Sequence, residues 1–168
     1  MKPKFEQLYM TIANTVARMS SAQRLQVGAI VVKDDRVISM GYNGMPSGWD
    51  NTCENTVYVL DEEVMGTDMV ALGYTQTEKG NWTKLKTKPE VLHAETNAIA
   101  KLARSSESGL DSDLFVTHSP CLDCAKIIYQ SGIRRVYYSS SYRDNSGLDF
   151  LQKSGVQVVQ LPATESGV

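Results

Sequence analysis

Apolar residues recur first at helical spacing and then in strand-like runs, which divides the beginning of the chain into a helix and a hairpin. The helix is predicted over about residues 5–19. The apolar positions on its inner face are Leu8, Ile12, Val16 and Met19. The β-branched run 27–32 and the apolar run 37–41 flank a turn at Asp34-Asp35 and predict a β-hairpin.

From about residue 90 onward, helical and strand patterns alternate. Helices are predicted over residues 94–104, 122–131 and 148–153. Strands are predicted over residues 114–117, 136–138 and 156–159. Together with the hairpin, these elements predict a three-layer α/β/α fold around a central mixed sheet of about five strands.

The stretch 51–89 interrupts this alternation with recurring Thr, Gly, Lys and Asn and with short apolar pieces only. We interpret residues 55–90 as an insertion with a small hairpin, not as a second domain. A chain of 168 residues has the size of one ordinary domain. We therefore expect a single domain over 1–160, followed by a loose tail over 161–168.

Composition and charge restrict the function classes. The 42% hydrophobic and 21% charged residues are typical of a folded globular protein. The net charge of −2, with scattered lysines and arginines, argues against binding of a nucleic-acid polymer. No apolar leader or membrane-spanning stretch is present, and three cysteines favour reduced thiols over a disulfide scaffold. We expect a soluble cytoplasmic protein without membrane contact.

Two short motifs contain the candidate chemistry, His93-Ala94-Glu95 and Pro120-Cys121-Leu122-Asp123-Cys124. Imidazole and thiolates bind zinc, and catalytic zinc commonly takes three protein ligands and leaves its fourth position to water. Two thiolates would balance the charge of Zn²⁺, and a water in the open position would lose a proton near neutral pH. Glu95 is the expected carrier of that proton. The pattern predicts hydrolysis of a C–NH₂ group on a nucleobase.

Each motif is predicted to begin a helix. The partial positive charge and unpaired N–H groups of a helix N-terminus lower the pKa of a thiol. We therefore expect Cys121 and Cys124, three residues apart, to be thiolates that chelate together. If His93 and Glu95 are both helical, their side chains point in different directions, so Glu95 is not a fourth ligand.

Other interpretations of the cysteines and histidines stay open. A C-x-x-C pair also occurs in redox sites and in structural zinc sites, which need a fourth protein ligand. His118 is the candidate for that fourth ligand. With His118 bound, the chain would be a structural-zinc interaction module without catalysis. The place of His118 at a strand end is more typical of a core or loop histidine. Cys53 is typical of a buried apolar residue. A second zinc bound by Cys53 and His118 is the remaining alternative.

The spacing H-A-E…P-C-x-x-C and the segments around it resemble the cytidine/deoxycytidylate deaminase superfamily. Within it, the chain is similar to the deoxycytidylate (dCMP) deaminases, of the type found in phages as well as in cells. The similar segments are Arg24-Leu25-Gln26-Val27-Gly28-Ala29, Gly41-Tyr42-Asn43-Gly44-Met45-Pro46-Ser47-Gly48, His93-Ala94-Glu95-Thr96-Asn97-Ala98-Ile99 and Ser131-Gly132-Ile133. The resemblance covers most of the chain and fails over about 55–90.

This resemblance implies the fold of that superfamily and the hydrolytic deamination of dCMP to dUMP, which feeds thymidylate synthesis. It implies that His93, Cys121 and Cys124 bind Zn²⁺. It also implies that Glu95 shuttles protons between the zinc-bound water, N3 and the departing ammonia of cytosine. The same chemistry on dCTP or on a 5-modified dCMP is the alternative within this enzyme class.

The resemblance also implies substrate contacts. Arg24 is expected to meet the 5′-phosphate, a role that its permanent charge and forked donors suit. Asn43 is expected to contact the deoxyribose, and Ala94 to offer backbone contacts to the base. Tyr142 is a candidate for stacking on the base, and Arg143 for a second phosphate contact. An ordinary surface or packing role is the alternative for Arg24, Tyr142 and Arg143.

Members of this family are commonly activated by dCTP, inhibited by dTTP at a separate site, and assembled as hexamers. By resemblance we expect a homo-oligomer and an effector site that includes Gly41, Asn43, Gly44 and Arg104. The glycines of the loop 41–48 would allow phosphates to approach the backbone closely.

Overall fold

The computed structural model of the chain describes residues 1–59, 69–142 and 144–162. Its helices are α1 (Pro3–Ala17), α2 (Ala94–Leu102), α3 (Leu122–Gln130) and α4 (Ser146–Lys153). Its strands are β1 (Gly28–Lys33), β2 (Arg36–Tyr42), β3 (Glu54–Tyr58), β4 (Thr75–Gln76), β5 (Trp82–Thr87), β6 (Asp113–His118), β7 (Arg135–Ser140) and β8 (Gln157–Gln160). Within these residues, no helix has the length and apolar character needed to cross a lipid bilayer.

Five strands form one mixed sheet in the order β2-β1-β6-β7-β8. β1 runs antiparallel to β2 and β6, whereas β6, β7 and β8 are parallel. Parallel neighbours need a crossover connection, and α3 and α4 provide the two crossovers. The predicted five-stranded mixed sheet with helices on both faces is therefore confirmed, and the predicted hairpin is β1–β2.

The sheet separates two apolar cores. Ile30, Val32 and Phe115 are buried with α1 on one face. The intervening residues Val31 and Val116 are buried with α2, α3 and α4 on the other. Successive strand side chains point to opposite faces, so β1 and β6 need continuous apolar runs to fill both cores.

The face of α1 that meets the sheet includes two of the four predicted residues, since Val16 is buried and Ile12 packs against the same core. Leu8 and Met19 are 48% and 67% exposed, and Met19 lies beyond the end of the helix. The buried residues are Tyr9, Met10, Ala13, Val16 and Ala17. Two stripes of this sequence satisfy the helical period, and the sheet takes the stripe with alanines. Ala13 and Ala17 lie so close to Gly28 that a larger residue there would meet their backbone atoms.

The insertion forms a second sheet in the order β3-β5-β4, with antiparallel pairing throughout. This is one strand more than the small hairpin predicted for the region. Glu54, which begins β3, pairs with Thr87 at the end of β5. The N–H of Lys88 also donates to the carbonyl of Cys53 at 2.9 Å. The insertion therefore leaves and rejoins the rest of the chain at one place.

The predicted loose tail begins as part of the main sheet. The N–H of Leu161 donates to the carbonyl of Tyr138 at 2.8 Å. The Leu161 side chain packs against the core under α1. Residues 163–168 of the predicted tail lie outside the described residues.

Candidate active site

Two helix starts bring the two sequence motifs together. His93 is the N-cap residue of α2 and Cys121 the N-cap residue of α3, both with extended backbone. Cys124 lies in the first turn of α3. α3 follows β6 after a short connection, so Cys121 is held at the carboxyl end of a central strand. The prediction that each motif begins a helix is confirmed.

His93, Cys121 and Cys124 have the geometry of a zinc site. Their ligand atoms all lie within 4.8 Å of one another. His93 Nδ1 lies 3.3 Å from Cys124 Sγ and 3.6 Å from Cys121 Sγ. Tetrahedral zinc with ordinary Zn–N and Zn–S bond lengths requires an N···S separation of about 3.6 Å. One imidazole and two thiols fit the ion and leave its fourth position open.

The two thiols differ strongly in acidity in the metal-free chain. A hydrogen bond from Cys124, a second from His93 and the nearby imidazole lower the pKa of Cys121 to about 4. The same hydrogen bond to Cys121, together with burial, raises the pKa of Cys124 above its usual value. Without a bound cation, the hydrogen bond between the two thiols thus favours the proton on Cys124, and thiolate character of both cysteines in the zinc-bound site stays a prediction. A bound divalent cation is needed before Cys124 gives up its proton.

Glu95 lies beside the three ligands without being one of them. It occupies the first turn of α2 and is 4% exposed. Burial is the chief reason that its pKa is raised above the ordinary carboxyl value. The sequence argument assumed that His93 and Glu95 are both helical, but His93 is the N-cap residue with extended backbone. His93 nevertheless belongs to the group of metal ligands and Glu95 does not. A carboxyl group with a raised pKa is suited to taking up and returning a proton.

A cleft of about 450 Å³ is lined by Glu95 and by two of the metal ligands, His93 and Cys121. A volume of this size is typical of a small-molecule site. The residues predicted from sequence that line it are Arg24, Asn43, His93, Ala94, Glu95, Cys121 and Tyr142. The lining residues that the sequence did not single out include Glu54, Thr87, Val91 and Ser119.

Arg24 lies at the side of the cleft that the insertion forms. Its Nη1 donates to Thr87 Oγ1 at 2.9 Å. The buried carboxylate oxygen Oε1 of Glu54 accepts from the N–H groups of Gln23 and Arg24 at 3.1 and 3.2 Å. Glu54 and Thr87 thus fix both ends of Arg24. The contact of Glu54 with Arg24 could not be predicted from the sequence, because Glu54 lies in a segment without a regular pattern.

Asn43 lines the cleft and also holds the segment that follows Arg24. Its Nδ2 donates to Leu25 O at 2.8 Å, and its Oδ1 accepts from Val27 N at 2.8 Å. An amide can donate twice through nitrogen and accept twice through oxygen. One hydrogen and one lone pair therefore remain for another partner.

Ala94 and Tyr142 also line the cleft. Ala94 is fully buried, so it presents little beyond its main chain. Tyr142 is 37% exposed, and its N–H donates to Ser119 Oγ at 2.6 Å. Ser119 thus anchors the segment that carries the tyrosine. Arg143, the second predicted phosphate contact, lies outside the described residues.

His118 and Cys53 are not part of the metal cluster. His118 lines the cleft half-buried, 3.2 Å from Thr117 Oγ1 through Nδ1, and burial lowers its pKa. Cys53 is buried beside Ala22 and Val91, with Sγ 3.4 Å from Ser21 Oγ. Among the described residues, only His93, Cys121 and Cys124 form a group of three potential metal ligands.

Of the four residues predicted to bind effectors, Gly41, Asn43 and Gly44 lie near the start of α2, whereas Arg104 lies beyond its other end. Gly41 is buried against α2, and Gly44 pairs with Leu92 through both its N–H (3.1 Å) and its carbonyl (2.9 Å). Arg104 is exposed just beyond the far end of α2, a helix of nine residues and thus about 14 Å long. Asn43 lines the cleft. The effector role of these residues stays a prediction.

Known proteins similar to this chain include deoxycytidylate deaminases. The chain is 34% identical over 170 residues to the deoxycytidylate deaminase of Enterobacteria phage T4, covering 91% of this chain and 88% of that protein. It is 32% identical over 145 residues to the Homo sapiens deoxycytidylate deaminase, covering 84% and 68%. A crystal structure of the dCMP deaminase of cyanophage S-TIM5, in complex with dCMP and dUMP, superimposes with a TM-score of 0.75 at 41% identity, covering 96% and 99%.

The match to a family profile includes both motifs. Residues 3–140 match the profile of the cytidine and deoxycytidylate deaminase zinc-binding region. The ligand geometry agrees with this description, so zinc is the cofactor of the cluster. The chain belongs to the cytidine and deoxycytidylate deaminase family.

Proposed function

We propose that the protein deaminates dCMP hydrolytically. The oxygen of water bonds to C4 of cytosine, the C4–N bond breaks, and ammonia leaves, which yields dUMP. The single observation that carries the proposal is the buried Glu95 beside His93, Cys121 and Cys124 at the floor of a nucleotide-sized cleft. Zinc bound by these ligands supplies Lewis acidity, which makes water a nucleophile at neutral pH.

Glu95 is the proton carrier in this proposal. It accepts a proton from the attacking water, protonates N3 of the ring, and then delivers a proton to the departing amino group. Transfer in both directions requires a carboxyl pKa above its ordinary value, and burial of Glu95 raises it. The balance of protons closes, since water supplies the two that complete the conversion of the amino group to ammonia and of N3 to N–H.

The proposal of a deoxynucleotide monophosphate rests on the other residues that line the cleft. Arg24 supplies a permanent charge there, held by Thr87 and Glu54. Asn43 retains one donor and one acceptor for a sugar hydroxyl. Ala94 offers its main chain to the base, and Tyr142 offers a ring for stacking. The cyanophage enzyme, which is similar along almost its whole length, has been crystallised with dCMP and dUMP.

Regulation and assembly extend the proposal. The protein forms hexamers, responds to dCTP as activator and dTTP as inhibitor, and supplies dUMP for thymidylate synthesis. β2 is an edge of the main sheet and carries exposed Met40 and Tyr42, which supports self-association along this edge. Light scattering with and without each triphosphate measures the assembly, and turnover in the same solutions measures the response.

A substrate series tests the chemistry and the phosphate requirement together. The zinc-loaded protein is assayed with deoxycytidine, dCMP and dCTP in heavy-oxygen water, with ammonia release and label at C4 of the product as readouts. Arg24→Ala should lower kcat/KM for dCMP about tenfold or more and leave deoxycytidine unchanged. Arg18→Ala, which removes an exposed arginine that does not line the cleft, is the matched control. Absence of turnover on every cytosine compound would refute the proposal.

A further inference from the structure

A second groove adjoins the cleft at Arg24 and Thr87, which line both. Its volume is about 520 Å³, and the rest of its wall comes from the insertion sheet. Lys84 and Lys86 of β5 contribute the charged side chains of that wall. We call this space the cationic groove.

The charges of the groove are all of one sign among the described residues. Lys84 and Lys86 are two positions apart on a strand and therefore share a face. Lys84 Nζ donates to Leu72 O at 2.7 Å and lies 5.2 Å from the centre of the Tyr74 ring, so its position is fixed. Lys86 is exposed, and within the described ranges its ammonium has no hydrogen bond or ion pair. No carboxylate belongs to the described lining.

The insertion sheet fixes Arg24 relative to these lysines. Glu54 holds the main chain of Arg24, and Thr87 holds its guanidinium. Glu54 and Thr87 are themselves a register pair of β3 and β5. Lys86 precedes Thr87 on β5, with its side chain on the other face of the strand, and Arg24, Lys86 and Thr87 all line the groove. Because Arg24 lines both the cleft and the cationic groove, a phosphate bound by Arg24 would lie next to both.

We propose that the cationic groove is an anion subsite that extends the phosphate end of the substrate cleft, with Lys86 as its specificity-determining cation. The inference rests on the proposed deamination of a cytosine nucleotide. Its ligand class is the 5′-phosphate chain of a deoxynucleoside mono-, di- or triphosphate. The described lining of the groove has three cations and no carboxylate, which attracts such a chain, and the groove has space for phosphates beyond the first.

Kinetics with substrates of increasing phosphate number test the subsite. Lys86→Ala should lower kcat/KM about tenfold for the phosphorylated substrates dCMP, dCDP and dCTP, most strongly for the longest, and leave deoxycytidine unchanged. Lys86→Arg should restore most of the loss, because it keeps a cation there. Lys79→Ala removes an exposed lysine from the same insertion outside the groove and should change nothing. Equal values of kcat/KM for the Lys86→Ala and Lys79→Ala variants on all four substrates would overturn the inference.

Binding of inorganic pyrophosphate provides a measurement that needs no turnover. Calorimetry should show affinity in the wild-type protein and in the Lys79→Ala variant, and an affinity lower by about tenfold in the Lys86→Ala variant. Equal affinities in all three proteins would refute the subsite even if deamination is confirmed. Pyrophosphate binding that depends on Lys86, in a protein that deaminates no cytosine compound, would uphold the subsite and refute the proposed function.

Discussion

Replacing Gly41 by alanine tests whether close contact between β2 and α2 holds the active site together. A Cβ atom at this position would meet Ala94 O, would lie 2.5 Å from Ala98 N, and would lie 2.9 Å from Asn97 Cβ. All three belong to α2, whose N-terminal end carries His93 and Glu95. The methyl group therefore forces the helix away from the strand.

The size of this effect follows from the distances. Moving Ala98 N from 2.5 Å to an ordinary contact of about 3.5 Å requires a shift of about 1 Å. Such overpacking costs about 1–3 kcal/mol, which for a domain of this size lowers Tm by about 2–12 °C. A displacement of about 1 Å at catalytic groups reduces turnover about a hundredfold. Turnover should therefore fall even at temperatures where the variant is folded.

Thermal unfolding, zinc content and dCMP turnover of the Gly41→Ala variant measure these effects. Gly44→Ala, just after the end of β2, is the matched control, because its Cβ would meet only the Tyr42 ring, at 3.9 Å. That variant should unfold within about 1 °C of the wild-type protein. If Gly41→Ala is as stable and active as Gly44→Ala, the reasoning from close contact is refuted.

Three further perturbations test other contacts. Glu54→Ala removes the oxygen that accepts from the main-chain N–H of Arg24, so KM for dCMP should rise about tenfold while kcat and the kinetics with deoxycytidine stay unchanged. Glu54→Gln keeps an acceptor oxygen and should restore the wild-type KM. Equal losses on dCMP and deoxycytidine would argue against a role of Glu54 in positioning Arg24. In the metal-free protein, the Cys121 thiolate becomes protonated only as the pH falls through its pKa of about 4. The alkylation rate of Cys121 should therefore stay level between about pH 6 and 8. A rate that rises with pH over this range would show that Cys121 has the pKa of an ordinary thiol. Asp113→Ala removes the two carboxylate oxygens that the Arg135 guanidinium contacts at 2.6 and 2.7 Å. The unfolding free energy, measured by denaturant titration, should therefore fall by about 3 kcal/mol. Unchanged stability would show that this ion pair is not structural.

Local patterns account for what could be predicted from the sequence. The runs that became β1 and β6 are apolar on both faces, and the helices after residue 90 have clear periods and stops. The metal ligands were predictable because His93 and the Cys121–Cys124 pair have a spacing and chemistry that few other sites share. The structure adds the reason for their meeting, which is that both motifs begin helices on the same face of the sheet.

Long-range pairing accounts for what was missed. The contact of Glu54 with Arg24 spans 30 residues, and the β3–β5 pairing joins polar strands without an apolar alternation. The prediction for α1 was wrong for Leu8 and Met19, which are exposed, because the helical period alone does not show that Ala13 and Ala17 pack against Gly28. The pKa difference between Cys121 and Cys124 depends on their shared hydrogen bond, which a spacing alone does not contain.

The Glu95→Gln variant tests most directly whether this buried carboxyl group carries the protons of the reaction. Zinc content is measured by elemental analysis alongside dCMP turnover of the same preparation. Loss of a general acid–base group predicts a fall in kcat of about a hundredfold to ten-thousandfold, with zinc bound as in the wild-type protein. Zinc-loaded Glu95→Gln protein that turns over dCMP within a few-fold of the wild-type rate would contradict the role assigned to Glu95.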